Sequence, residues 1–214
     1  MILLAFALLG ADPACDAGTA GASCRAVAAS SASRFAEAAA EFETVAANAA
    51  GPERDRAYAA AGNMWLAAGQ AGKAALALDR ALAGPGLRAE QRGEALLDRA
   101  RVAEAQGNLK LARATAKEAE TSVAGDPFLW YFSSALALRE LDLPAAEIAA
   151  NRGLALAPNE ALMLFQAGHV AHAKGDEAKA RDLWTRAAAA EPTSPTGKAA
   201  RAALALLAAP RLPK

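Results

Sequence analysis

An all-α architecture of paired, stacked helices is the fold class this sequence predicts, on three observations. Apolar residues recur at spacings of three and four along most of the chain, and no strand-like alternation occurs anywhere in it. Hydrophobic residues make up 54% but aromatics only 5%. Alanine supplies much of that apolar content, which suits closely stacked helices better than a thick globular interior. The pattern also returns with a period near 34 residues, and such a period marks units that hide their apolar faces against one another.

The chain opens on an apolar run in which Ile2 to Leu9 is unbroken. A spanning helix needs roughly 20 residues, so this run is too short to cross a bilayer. It resembles the apolar part of a secretory signal peptide ending near Gly10-Ala11-Asp12-Pro13-Ala14, although no Lys or Arg precedes it and no clean small-x-small site follows. The expectation is export to a periplasmic or secreted location. The alternative is a packed N-terminal segment in a cytoplasmic protein. Cys15 and Cys24 are the only cysteines, and in an exported chain such a pair can close a small N-terminal loop. Asp12-Pro13-Ala14 matches a lipid-attachment signal at Cys15 poorly. With no histidine near either cysteine, neither reads as a nucleophile or metal ligand.

Residues 1–22 are read as leader and linker, and residues 23–51 as a degenerate helical cap. Ala17 to Ser33, rich in Ala, Gly and Ser, suggests a linker or weak helix. Ser33 then precedes an amphipathic stripe of Phe35, Ala38, Ala39, Phe42, Val45 and Ala46, with Glu37, Glu41 and Glu43 largely off it. Gly51-Pro52 opens the regular array, where Glu53 and Asp55 suit the positive end of a starting helix. Helix pairs follow at about 53–69 with 72–83, 90–106 with 109–122, 127–140 with 144–156, and 160–173 with 177–189. Pro144 fits a first turn, where no backbone donor is lost. A last helix runs within 195–209 and shields the final pair.

The clearest copy is Asn159 to Pro192. Leu164, Ala167, Gly168 and Ala171 share one helix face, Gly175-Asp176 break the helix, and Ala180, Trp184 and Ala187 mark a second helix closed by Pro192. Glycine inside a helix costs about 1 kcal/mol against alanine, so Gly168 predicts close approach of the partner helix. Thirty-four residues earlier stand Trp130, Ser133, Ser134, Ala137, Ala146, Ala150, Gly153 and Pro158. Another 34 earlier come Leu96, Arg99, Ala100, Ala103, Gly107, Ala112, Ala116 and Ala119. A shift of 38, its extra residues lying around Gly84-Pro85-Gly86, gives Tyr58, Ala61, Gly62, Trp65, Gly69, Ala74, Leu78 and Ala81.

These positions resemble the tetratricopeptide repeat (TPR), a 34-residue helix–turn–helix unit. The resemblance implies a right-handed α-solenoid of about four TPR-like repeats, at about 53–90, 91–125, 126–158 and 159–192, with capping helices at both ends. It also implies that the first helices of successive repeats line a concave groove. The groove residues would be Leu162, Phe165, His169 and His172 in the last repeat, and Phe128, Tyr131 and Leu138, with Arg139 beside them, in the one before. Arg101 lies at the equivalent place in the second repeat and Asn63 in the first. The groove would thus be charged towards its N-terminal half and aromatic towards its C-terminal half, suited to an extended or helical peptide. A family variant clamps a peptide carboxylate with Lys and Asn, but only Asn63 fits that pattern, so carboxylate clamping is disfavoured. Trp65, Trp130 and Trp184 fall at packing positions.

The balance of 23 basic and 23 acidic residues, without a basic run, argues against nucleic acid as a partner. No phosphate loop, dinucleotide fingerprint, Gly-x-Ser-x-Gly or His-Glu-x-x-His occurs, and no nucleophile–base pair is evident. His169 and His172 lack a third ligand on their face. The sequence therefore predicts a non-enzymatic protein–protein interaction scaffold or adaptor, with no cofactor, no metal and no integral membrane span. Self-association into a homo-oligomer, or a lipid or small apolar ligand in the groove, are the alternatives.

Overall fold

Alanine at i, i+4 and i+7 gives the smooth apolar stripe on which helices within each compact unit of this chain seat their neighbours. The structure, a computed structural model, describes residues 15–16 and 18–208. The leader expectation for Met1 to Ala11 and the tail Pro210 to Lys214 lie outside these residues. Contacts divide the chain into two compact units meeting at Gln106 and Gly107. The first holds α1 (Ala22–Ser31), α2 (Phe35–Asn48), α3 (Gly51–Ala67), α4 (Ala71–Ala83) and α5 (Ala89–Ala105). The second holds α6 (Leu109–Val123), α7 (Pro127–Arg139), α8 (Leu143–Leu156), α9 (Ala161–Ala173), α10 (Glu177–Ala190) and α11 (Pro195–Ala208). Every regular element among the described residues is helical.

One backbone feature recurs at each hairpin turn. Ser33, Gly69, Gly107, Leu141 and Gly175 have φ of 58°, 72°, 77°, 60° and 82°. They are spaced 36, 38, 34 and 34 residues apart, which is the period read from the side chains. A left-handed residue lets the next amide reach back five residues and close the helix end. Thus Gln70 N bonds Trp65 O, Asp142 N bonds Ala137 O and Asp176 N bonds Ala171 O, each at 2.9 Å. The returning helix is then capped from the same turn. The side chains of Asn108, Asp142 and Asp176 accept from the backbone N–H of Leu111, Ala145 and Lys179.

Two expectations are corrected here. Residues 17–33, expected as linker or weak helix, include the regular helix α1, whose Ala22, Ala26 and Ala29 are fully buried. Alanine's high helix propensity outweighs the missing aromatic landmark. The N-terminal part is therefore a complete hairpin, joined by Arg34 N to Ala29 O at 2.8 Å. Gly168 does face a close neighbour, but it is the indole of Trp184 rather than helix backbone: a Cβ there would lie 2.4 Å from Trp184 Nε1.

In the first unit Trp65, Leu78 and Val102 pack among buried alanines. The four-residue insertion folds over Asp55, fully buried, whose Oδ2 accepts from Gly86 N at 2.9 Å while Oδ1 accepts from Arg54 Nη2 at 3.0 Å. Asp55 is thus the anchor of the 84–86 loop, beyond its place near a helix start. In the second unit Leu164, Val170, Leu183 and Trp184 form the core, and Leu204 and Leu207 of α11 lie against it. That is the shielding expected of the last helix. At the N-terminus Cys15 and Cys24 form a disulfide with Cα atoms 5.7 Å apart.

Candidate peptide-binding groove

Residues 34 apart occupy the same angular place in successive hairpins, so α7 and α9, which pack side by side in the second unit, present matching stripes. On α7 the stripe carries Phe128, Tyr131 and Leu138, all half-buried, with Arg139 exposed beside them. On α9 it carries Leu162, Phe165 and His169, half-buried, and His172, exposed. The aromatics touch along each helix. The rings of Phe128 and Tyr131 are 5.7 Å apart, and those of Phe165 and His169 meet edge-on at 4.4 Å.

Part of this surface is committed to the fold. Phe165 and Leu138 lie against the buried core of the second unit. His169 stands edge-on to Trp184 at 5.2 Å, and His172 lies 5.6 Å from the same ring. Trp184 also donates from Nε1 to the Phe165 carbonyl at 3.1 Å. Burial holds the His169 imidazole below its ordinary pKa, and the neighbouring His172 lowers it further. The neutral form of His169 is thereby favoured over the charged one. No group of three metal-ligating side chains occurs among the described residues.

Asn63 and Arg101 come together in the first unit, through a residue that sequence reasoning missed. Asp98 of α5 accepts from Asn63 Nδ2 at 2.6 Å and from Arg101 Nη1 at 2.8 Å. The amide of Asn63 is thereby engaged by a carboxylate of this chain, which is where a carboxylate clamp would need it free. The spacing of Asp98 and Arg101, one helical turn, was the available signal.

A second polar group was also missed. Gln166 Nε2 donates to Ser134 Oγ at 3.1 Å, and Ser134 Oγ donates to the Ala146 carbonyl at 3.0 Å. This buried chain ties α9 to α7 and α7 to α8, fixing the register of the two stripes. Serine in the small-residue place of the repeat was its only trace in the sequence.

No family model matches the chain, and no curated protein does. Solved structures do. YrrB, a TPR protein with an unusual peptide-binding site, is 19% identical with a TM-score of 0.62, over 83% of this chain and 88% of that one. PilW, a widely conserved type IV pilus biogenesis factor, is 17% identical with a TM-score of 0.70, over 85% and 82%. The first TPR of Spaghetti (RPAP3), bound to the HSP90 peptide SRMEEVD, is 18% identical with a TM-score of 0.51, over 55% and 91%. No helix among the described residues is long and apolar enough to cross a membrane. Hairpin period, turn geometry and these likenesses agree that the chain has the all-α fold of the tetratricopeptide-repeat proteins.

Proposed function

We propose that this chain is a protein-interaction adaptor that holds a peptide or partner helix along α7 and α9, performing no chemistry of its own. The observation that carries this reading is the aromatic row of Phe128, Tyr131, Phe165 and His169, half-buried in matched register on adjacent helices. Burying one such ring under a ligand contributes about 1.5–3 kcal/mol, enough for a few contacts to give useful affinity. Buried serine and glutamine fix the helices beforehand, which lowers the ordering cost of binding. The fold is shared with YrrB and RPAP3, whose structures concern peptide binding.

The disulfide between Cys15 and Cys24 and the apolar leader support a site in the cell envelope. Disulfides persist in oxidising compartments, and export brings the cysteines there.

A displayed random-peptide library tests the groove. Peptides selected on the wild type should lose binding to Phe128→Ala/Tyr131→Ala while the thermal melt moves little. Selected peptides that bind this variant equally well would overturn the assignment. Sedimentation of the unliganded protein separates the second reading, in which another copy fills the groove: a stable dimer dispersed by the same substitutions would support it.

A further inference from the structure

On α7 the face turned away from the aromatic stripe carries Trp130, Ser133 and Leu136. These residues floor a cleft of about 580 Å³ between α6 and α8. That volume lies inside the range of small-ligand pockets, about 300–1,000 Å³. The repeat supplies its own control. At the same register one hairpin later, around Ala167 and Val170, only about 40 Å³ remains, and Lys174 paired with Glu147 stands at that slit. The cleft is therefore not repeated in the next hairpin.

Its walls are alanines, among them Ala114 and Ala149, with Ile148 at the lip, 58% exposed. The buried hydroxyl of Ser133 has no hydrogen-bond partner. The mouth is charged, and its two ends differ. Arg113 is paired with two carboxylates, Glu140 at 2.7 Å and Asp142 at 2.9 Å, which leaves that end with one negative charge. At the other end Lys117 and Arg152 share one carboxylate, Glu120, at 2.8 and 3.9 Å. Lys117 is largely exposed, and Arg152 lies over the Trp130 ring at 4.6 Å. One positive charge is left uncompensated there.

We propose that this cleft binds a single-chain amphiphile with one carboxylate head. Its hydrocarbon lies over Trp130, Ser133 and Leu136, and its head meets Lys117 and Arg152. A peptide fits the lining poorly, because its backbone N–H and C=O groups would find almost no partners among alanine side chains. A hydrocarbon asks for none. The positive charge at the Lys117–Arg152 end, with the negative charge held at the far end beside Arg113, selects an anionic head placed against Lys117 and Arg152 over a neutral or cationic one.

Calorimetric titration of the full chain with monomeric decanoate, decanol and decylammonium tests this. Decanoate should bind one saturable site, at least about tenfold more tightly than decylammonium. Ser133→Leu, which fills the floor, should abolish that site. Lys117→Ala/Arg152→Ala should weaken decanoate by about tenfold and leave decanol unchanged. Should Ser133→Leu fail to fold, Ile148→Glu at the exposed lip replaces it and should also weaken decanoate. Absence of saturation, equal binding of decylammonium, or decanoate binding indifferent to the cleft variants would each overturn the proposal.

Discussion

Asp55 and Gly86, 31 residues apart, are joined by a 2.9 Å hydrogen bond from the Gly86 amide to the Asp55 carboxylate. The carboxylate is fully buried, so it is the template on which the inserted loop forms. A Cβ on Gly84 would lie 1.9 Å from Asp55 Oδ2. Asp55→Ala should cost about 2–3 kcal/mol, because it strands a buried donor and loses a charged hydrogen bond. Asp55→Asn should cost less. Urea melts read both, and an Asp55→Ala loss below about 0.5 kcal/mol would contradict the anchoring role.

Leu141 has φ of 60° and is 81% exposed, at the place where three other hairpins carry glycine. A side chain there costs about 1 kcal/mol in backbone strain, with nothing buried in return. Leu141→Gly should therefore raise stability by about 0.5–1 kcal/mol, and Gly175→Ala should lower it by a similar amount. The urea midpoint should shift with its slope unchanged.

The His169 imidazole is held below its ordinary pKa, first by burial and then by repulsion from His172. A base depressed in the folded state contributes stability that is fully present above its unfolded pKa, about 6.5. That contribution is lost as pH falls through the lower folded value. Proton NMR should show the His169 ring titrating below pH 6.5, and His172→Ala should move it part of the way back up. A His169 midpoint at or above 6.5 would show that the ring is not packed against Phe165 and Trp184.

Arg25 reaches from α1 to Asp16 O at 2.7 Å and Gly18 O at 2.9 Å while its Nε and Nη2 donate to Glu41. The disulfide and this guanidinium hold the same short segment. Closing so small a loop contributes about 2–3 kcal/mol at most. Reduction, or Cys15→Ser/Cys24→Ser, should raise hydrogen exchange at residues 15–21 and leave α3 to α5 protected. Exchange that rises throughout the first unit would mean that the staple supports the whole unit.

The repeat plan was legible because it is written in side-chain size. Gly62, Gly168 and Trp184 each leave a mark that survives in the bare sequence. The first hairpin was half-hidden because α1 uses only alanine and small residues, which also read as linker. At Ser33 and Leu141 the place of the turn was legible but its left-handed backbone was not, since neither residue is glycine. The stripes of α7 and α9 followed from the family resemblance together with helical spacing, but not the share of Phe165 and Leu138 that goes to the core. The Asn63–Asp98 and Ser134–Gln166 contacts and the α6–α8 cleft were out of reach for another reason. They depend on how far helices diverge, and no local pattern encodes that distance.

The left-handed residue at every bend has an evolutionary consequence. It fixes the length of each bend to the residue, so a hairpin tolerates neither growth nor shortening there. The stretches between bends carry no such rule, and they do vary: α3 and α5 each run 17 residues where α7 and α9 run 13. Lineages of this chain should therefore vary by whole hairpins or in the stretches between bends, keeping every bend constant in length.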